Sequence, residues 1–252
     1  MTTTLAAETA EGTPYEATAY AVRMEAVTRS YGSVTALRGV TRAFPRGGFT
    51  AVMGPSGSGK STFLHCASGL DRPTSGSVLI GGTDIGRLSE AKRTRLRRER
   101  IGFVFQSFNL IPSMDVEQNI TLPLHLSGAR ADPQWLAEVV GRVGLADRLR
   151  HRPSELSGGQ QQRAAVARAL ITRPEVVFAD EPTGSLDPRS ARDVLALLRE
   201  AADQTGQTVV LVTHDPMAAA WADSVLFLRD GQIVAELPDP TPATVMARWD
   251  VL

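Results

Sequence analysis

The chain has 252 residues, enough to bury a core without disulfides or bound metal. Its 27 Lys and Arg balance 27 Asp and Glu, which argues against a general nucleic-acid binder, normally a basic protein. A single cysteine, Cys66, excludes an intramolecular disulfide and points to a reducing compartment.

Residues 1–19 are rich in Thr, Ala and Glu and are expected to form a flexible tail. This opening lacks the basic start and apolar middle of a secretory signal. No apolar run approaches the roughly 20 residues that span a bilayer. The chain is therefore expected to be soluble and to meet a membrane only through a partner. Tyr20 to Tyr31 alternates loosely between apolar and polar residues, as an edge strand does. Phe49 to Met53 is a short apolar strand that ends at a glycine turn.

The middle, from about Pro112 to Leu170, reads as a helical insertion with breaks at Pro123, Gly128, Pro133, Gly144 and Pro153. Val176–Asp180 and Thr208–Thr213 read as buried parallel strands. Between them lies a helix with Ala191, Val194, Leu195, Leu198 and Ala201 on one face. Strands alternating with helices predict an α/β fold. Asp230-Gly231, between two apolar runs, predicts a hairpin and so a small antiparallel element late in the chain. Residues 238–252 read as a Pro-rich tail with no element predicted.

Three short stretches carry chemistry. "GPSGSGKST", Gly54 to Thr62, fits G-x-x-x-x-G-K-[ST] and lies between a strand and a predicted helix, Ser61 to Ser68. Gly54, Gly57 and Gly59 allow a tight turn whose amides face a phosphate; Pro55, Ser56, Ser58 and Thr62 complete the loop. Lys60 is placed to reach β- and γ-phosphates, and the Ser61 hydroxyl to coordinate Mg²⁺. "VVFADEP" ends a buried strand in two acids. Asp180 is placed to hold Mg²⁺ and Glu181 to polarise an attacking water. The third stretch, "LSGGQ", Leu156 to Gln160, is a glycine turn without a lysine, followed by a helix.

In this order over about 200 residues, the three stretches resemble the ATP-binding subunit of an ABC transporter, for which LSGGQ is the signature. The resemblance implies a P-loop NTPase core (the ABC ATPase fold) with a small antiparallel β subdomain and a helical insertion. The ATPase domain would cover residues 20–237, with its helical subdomain at about 107–170. It further implies that Tyr31 stacks on adenine, that Gln106 reaches Mg²⁺ and the water, and that His214 contacts the γ-phosphate. Ser157, Gly158, Gly159, Gln160 and Asp187 would act in trans, on the ATP held by a second copy of the chain. A serine hydroxyl, glycine amides and a helix N-terminus form an anion site that needs no lysine.

The implied activity is ATP hydrolysis, with ATP and Mg²⁺ bound. The implied partners are a second copy and an integral-membrane permease, with no nucleic acid, and the implied location is the inner face of the cell membrane. "FQSFNLIPSMDVEQNITLPL" resembles the lipoprotein-release, macrolide-export and cell-division subgroup, although Gln118-Asn119-Ile120 and Ser185 depart from its usual pattern. Asp115 and Gln118 can still cap the helix that follows.

A non-transport ABC ATPase is the alternative. DNA-repair members need coiled-coil arms, and no heptad tract occurs here. Ribosome-associated members carry two cassettes, and this chain carries one. An iron-sulfur assembly role lacks sequence support. The basic run Lys92 to Arg100 reads as a solvated helix face in a chain of zero net charge, with a weak contact to lipid headgroups beside the permease as the alternative. His65, His125 and His151 share no metal-ligand spacing, and Cys66 reads as a small helix residue behind the phosphate loop.

Overall fold

A computed structural model describes residues 19–251; residues 1–18 of the expected tail, 1–19, lie outside the described residues. β1 (Tyr20–Tyr31) and β2 (Val34–Pro45) pair as a long antiparallel ribbon. β4 (Ser75–Ile80) joins the other side of β1, and β5 (Thr83–Asp84) follows β4. The sheet order is β2-β1-β4-β5. β1 is thus an interior strand and not the edge strand its sequence suggests. Its register shifts between Met24 and Val27, where Ala26 takes φ 47°. That irregularity blurs the alternation and hides the two-sided pairing.

The second sheet contains β3 (Phe49–Met53), β6 (Ile101–Phe105), β7 (Val176–Asp180), β8 (Thr208–Val212), β9 (Ser224–Arg229) and β10 (Gln232–Pro238). Its order is β10-β9-β3-β8-β7-β6, and only β10 runs antiparallel to its neighbour. Every residue of β3 and β8 is buried, because both sheet faces are covered. The expected hairpin is present, with Asp230 at φ 49° and Gly231 at φ 76° in its two-residue turn. It closes the edge of this sheet. The separate antiparallel sheet is built instead from the first third of the chain.

α1 (Lys60–Ala67) packs between the sheets, where Phe63 and Leu64 meet Phe44, Val52 and Phe178 in one apolar cluster. α6 (Pro188–Thr205) covers the opposite face with Val194, Leu195, Leu198 and Ala201, as the helical spacing predicts. α2 (Glu90–Arg100) carries the basic run, and it is less solvated than expected. Arg93 is buried against Glu90, and Arg97 donates to the Gly69 carbonyl at 2.6 Å. α7 (Pro216–Ala219) and α8 (Pro242–Trp249) pack together, and α8 occupies part of the C-terminal stretch for which no element was expected. Thr241 caps it and Val245 is fully buried.

α3 (Val116–Ser127), α4 (Pro133–Arg142) and α5 (Gly158–Leu170) share a separate apolar cluster that includes Val116, Ile120, Val139 and Ala164. The expected cap of α3 forms: Asp115 Oδ1 accepts from Gln118 N at 2.8 Å, and Gln118 Oε1 accepts from Asp115 N at 3.0 Å. Pro123 does not break α3. Capping and burial of the helix face offset the missing donor of one proline.

Asn119 holds the loop before α3. It is fully buried; its Oδ1 accepts from Ile111 N at 2.7 Å, and its Nδ2 donates to the carbonyls of Ile111, Met114 and Asp115. Asn119→Ala should cost about 3 kcal/mol by orphaning these buried groups, visible as a lower melting temperature. A melt unchanged from the parent chain would mean that the loop finds other partners.

Candidate nucleotide-binding site

Three adjacent strand ends create the site. Val52 of β3 and Asp180 of β7 both pair with Val212 of β8. The next residues along each strand enter the phosphate loop, Glu181 and the Thr213-His214 turn. All three leave the C-terminal edge of the parallel strands, the usual ligand edge of such sheets.

The phosphate loop curls tightly at that edge. A side chain on Gly54 would come within 2.2 Å of the Leu228 carbonyl, and Gly59 takes φ 103° at the start of α1. Lys60 turns back over the loop, and its Nζ donates to the carbonyls of Gly54 at 2.6 Å and Pro55 at 3.0 Å. Burial lowers its pKa, against the pull of Glu181 and Asp180. Burial likewise raises the Asp180 carboxyl, helped by the charge of Glu181.

Glu181 follows Asp180 in a left-handed conformation, φ 46°, uncommon for a residue with a side chain. Its N–H donates to the Val212 carbonyl at 2.9 Å. Its carboxylate accepts from Thr213 Oγ1 at 3.3 Å and lies 2.8 Å from His214 Nδ1. The strained backbone aims the carboxylate across the sheet edge instead of outward from β7.

A cleft of ≈ 550 Å³ brings together Gly54, Pro55, Ser56, Lys60, Glu181 and His214. Met246, Trp249 and Asp250 also line it. These three escaped the sequence reading because the C-terminal stretch carries no motif. Thr213 was missed as well: it is fully buried and orients Glu181, and only its place beside His214 hints at that.

Gln106 follows β6, is exposed, and packs against Gly184, where a side chain would come within 2.7 Å of its Nε2. Tyr31 ends β1 with 46% of its surface exposed.

Ser157 caps α5: its Oγ accepts from Gln160 N at 3.3 Å, and Gln160 Oε1 accepts from Ser157 N at 2.9 Å. Ser157 is exposed, and none of Ser157, Gly158, Gly159 or Gln160 lines the cleft that holds Lys60. Asp187 caps α6, accepting from the N–H groups of Arg189 and Ser190; the Ser190 hydroxyl first, and then these N–H groups, hold its carboxyl below the usual range. Gln162, further along α5, is fully buried. Its Nε2 donates to the carbonyls of Phe105 at 3.0 Å and Pro182 at 2.6 Å.

The phosphate loop, the paired acids and the signature turn therefore sit on one sheet edge and its flanking helix. A family model described as ABC transporter matches residues 37–184, more than half of the chain. The chain belongs to the ABC transporter ATPase family. This ABC ATPase is 45% identical over 203 residues to the macrolide export ATP-binding/permease protein MacB of Bdellovibrio bacteriovorus, covering 81% of the chain and 31% of that protein. It is 42% identical over 221 residues to lipoprotein-releasing system ATP-binding protein LolD 1 of Rhodospirillum rubrum, covering 85% of the chain and 98% of that protein. The chain thus spans about a third of the length of the MacB relatives.

Among solved structures, it matches the dimeric post-hydrolysis state of the cassette MJ0796 bound to ADP and Pi. The TM-score is 0.79 at 38% identity, over 87% of this chain and 99% of that one. It also matches cbiO1 from Clostridium perfringens, part of the transporter complex cbiONQ, with TM-score 0.80 at 28% identity over 92% of each chain. No helix among the described residues is long and apolar enough to cross a membrane.

Proposed function

We propose that this ABC ATPase works as a pair of copies that sandwich two ATP molecules and drive a membrane permease. One observation carries the reading. The cleft with Lys60, Glu181 and His214 contains no residue of the signature turn, while Ser157 is exposed at a helix N-terminus. An exposed anion site and a cleft that contains no signature residue would complete each other in a two-fold pair. The dimeric MJ0796 cassettes support the same arrangement.

Within each site, Lys60 holds the β- and γ-phosphates and Tyr31 stacks on adenine. Glu181 accepts a proton from the water that attacks the γ-phosphorus, the bond to the ADP oxygen breaks, and ADP and phosphate leave. His214, whose Nδ1 lies 2.8 Å from that carboxylate, contacts the γ-phosphate in this reading. From the partner, Ser157, Gly158, Gly159, Gln160 and Asp187 close over the nucleotide.

The oxygen donors Ser61, Gln106 and Asp180 suit Mg²⁺, a hard cation. No group of three His, Cys, Asp or Glu side chains able to hold a metal occurs among the described residues, so phosphate oxygens and water would complete its shell. When bound, Mg²⁺ neutralises phosphate charge.

A groove of ≈ 360 Å³ between α2, β6 and the helical part supports the permease reading. Phe103 and Phe105 give it an apolar floor, and Arg97, Arg98 and Arg168 give it cations. It suits an apolar helix end that carries acid, and it is lined by β6, the strand that leads into Gln106. Docking there would hold the ATPase at the inner face of the membrane and transmit closure of the pair. Export of a macrolide-like or lipoprotein cargo is the reading closest to the MacB and LolD relatives.

Ser157→Arg tests the pairing. The variant should bind ATP as a monomer with near-parent affinity and lose at least about 100-fold in hydrolysis, because the bulky cation blocks the partner's site. The parent's specific activity should rise with protein concentration. Normal turnover in the variant would remove the signature from any role across a pair. For the partner, purification from membranes should yield a permease; nucleic acid or ribosomes in its place would overturn the transport reading.

A further inference from the structure

We propose that Asp71 is a positioning residue for nucleotide binding: it fixes the Tyr31 ring so that a purine base stacks on one face only. The inference rests on the reading of Tyr31 as the base-stacking residue. Tyr31 stands at the exposed end of β1, where an unrestrained ring would sample several rotamers. Three contacts remove that freedom. The Tyr31 hydroxyl donates to Asp71 Oδ2 at 2.6 Å. Arg29 Nε donates to the same oxygen at 2.8 Å. The Arg29 guanidinium then stands over the Tyr31 ring, 4.3 Å from its centroid, and covers that face.

Asp71 itself is well anchored. Its Oδ1 accepts from Arg72 N at 2.8 Å, and its own N–H donates to the His65 carbonyl at 3.0 Å. Burial works against its ionisation, but the Tyr31 hydroxyl, the Arg72 N–H and the Arg29 guanidinium outweigh it and hold the carboxyl below the usual range.

Asp71 closes the turn after α1, the helix that begins at Lys60. The base platform is thereby referenced to the phosphate loop through a single short helix. A purine and a triphosphate are joined covalently, so this reference sets whether both ends of the ligand are satisfied together. A fixed platform costs little ordering entropy when ligand binds.

Calorimetry on the full chain with Mg-ATP and with inorganic triphosphate separates positioning from general structure. Asp71→Ala should weaken Mg-ATP roughly five-fold, the scale of one aromatic stacking contact. Binding of inorganic triphosphate should stay within about two-fold of the parent, because that ligand has no base to stack. Tyr31→Phe keeps the ring and loses only the tether; it should weaken Mg-ATP, and adding Asp71→Ala should cause little further loss.

Equal losses for both ligands, or no loss for Mg-ATP, would overturn the proposal. Tyr31→Ala distinguishes the two levels of the argument. If it weakens Mg-ATP while Asp71→Ala does not, the positioning role falls alone. Unchanged Mg-ATP affinity in Tyr31→Ala removes the stacking reading, and the proposal with it.

Discussion

Glu181→Gln should lower ATP turnover by about 10²- to 10⁴-fold, the range expected for loss of a general base. ATP affinity should persist. The amide preserves side-chain length and the left-handed backbone at φ 46°, and the N–H bond to the Val212 carbonyl is untouched. What disappears is the negative charge that draws a proton from water. The amide oxygen can keep accepting from Thr213 Oγ1, and the amide NH₂ can donate to His214 Nδ1 in the tautomer that leaves this nitrogen unprotonated, so the site should keep its shape. A closed site that cannot hydrolyse should accumulate with ATP bound. Size-exclusion chromatography with ATP should therefore show a pair of chains for the variant, where the parent cycles back to single chains. A monomeric variant with full activity would end the water-activating role of Glu181.

Lys60→Ala should weaken ATP binding by about 100-fold and abolish turnover at ordinary ATP concentrations. The ammonium is half-buried at the mouth of the phosphate loop, held by two carbonyls of that loop. Those carbonyls are neutral acceptors, and a triphosphate offers charged ones, which make shorter and stronger bonds. The folded loop keeps the cation desolvated, which strengthens its pull on an anion. Alanine removes the charge and leaves the turn at Gly54 and Gly59 intact, so the melting temperature should change little. Equal ATP affinity in parent and variant would show that the loop amides alone hold the phosphates.

Local chemistry explains how much of this site could be read in the sequence. The phosphate loop, the two acids and the signature turn each need particular residue types in adjacent positions, so short windows reveal them. The buried strands β3 and β8 are equally plain, because both faces are covered and every position except Thr50 and Thr208 is apolar. Long-range features left weaker traces. β1 has neighbours on both sides, yet its irregular register disguises this. Pro123 looked like a stop, but burial of the α3 face outweighs one lost donor. Trp249 reaches the cleft from a stretch whose own composition suggests nothing, since its position depends on packing of α8 beside α7. Arg93 and Arg97 looked solvent-facing because charge is visible in a sequence and tertiary acceptors are not.

The buried amide of Gln162 has a consequence for how two reaction centres share information. The helix that presents Ser157 to one nucleotide grips, one turn later, the carbonyls of Phe105 and Pro182. Those residues immediately flank Gln106 and Glu181, which in the proposed pair would serve the other nucleotide. A shift of this helix by a fraction of an ångström stretches both bonds at once. In a symmetric pair the helix acts as a crosslink between active sites rather than as a wall of one. Thermodynamic reciprocity then requires that whatever one site gains from sensing its neighbour, the neighbour gains equally in return. In the proposed pair, nucleotide binding at the two sites would thereby be coupled, with Gln162 as one linkage.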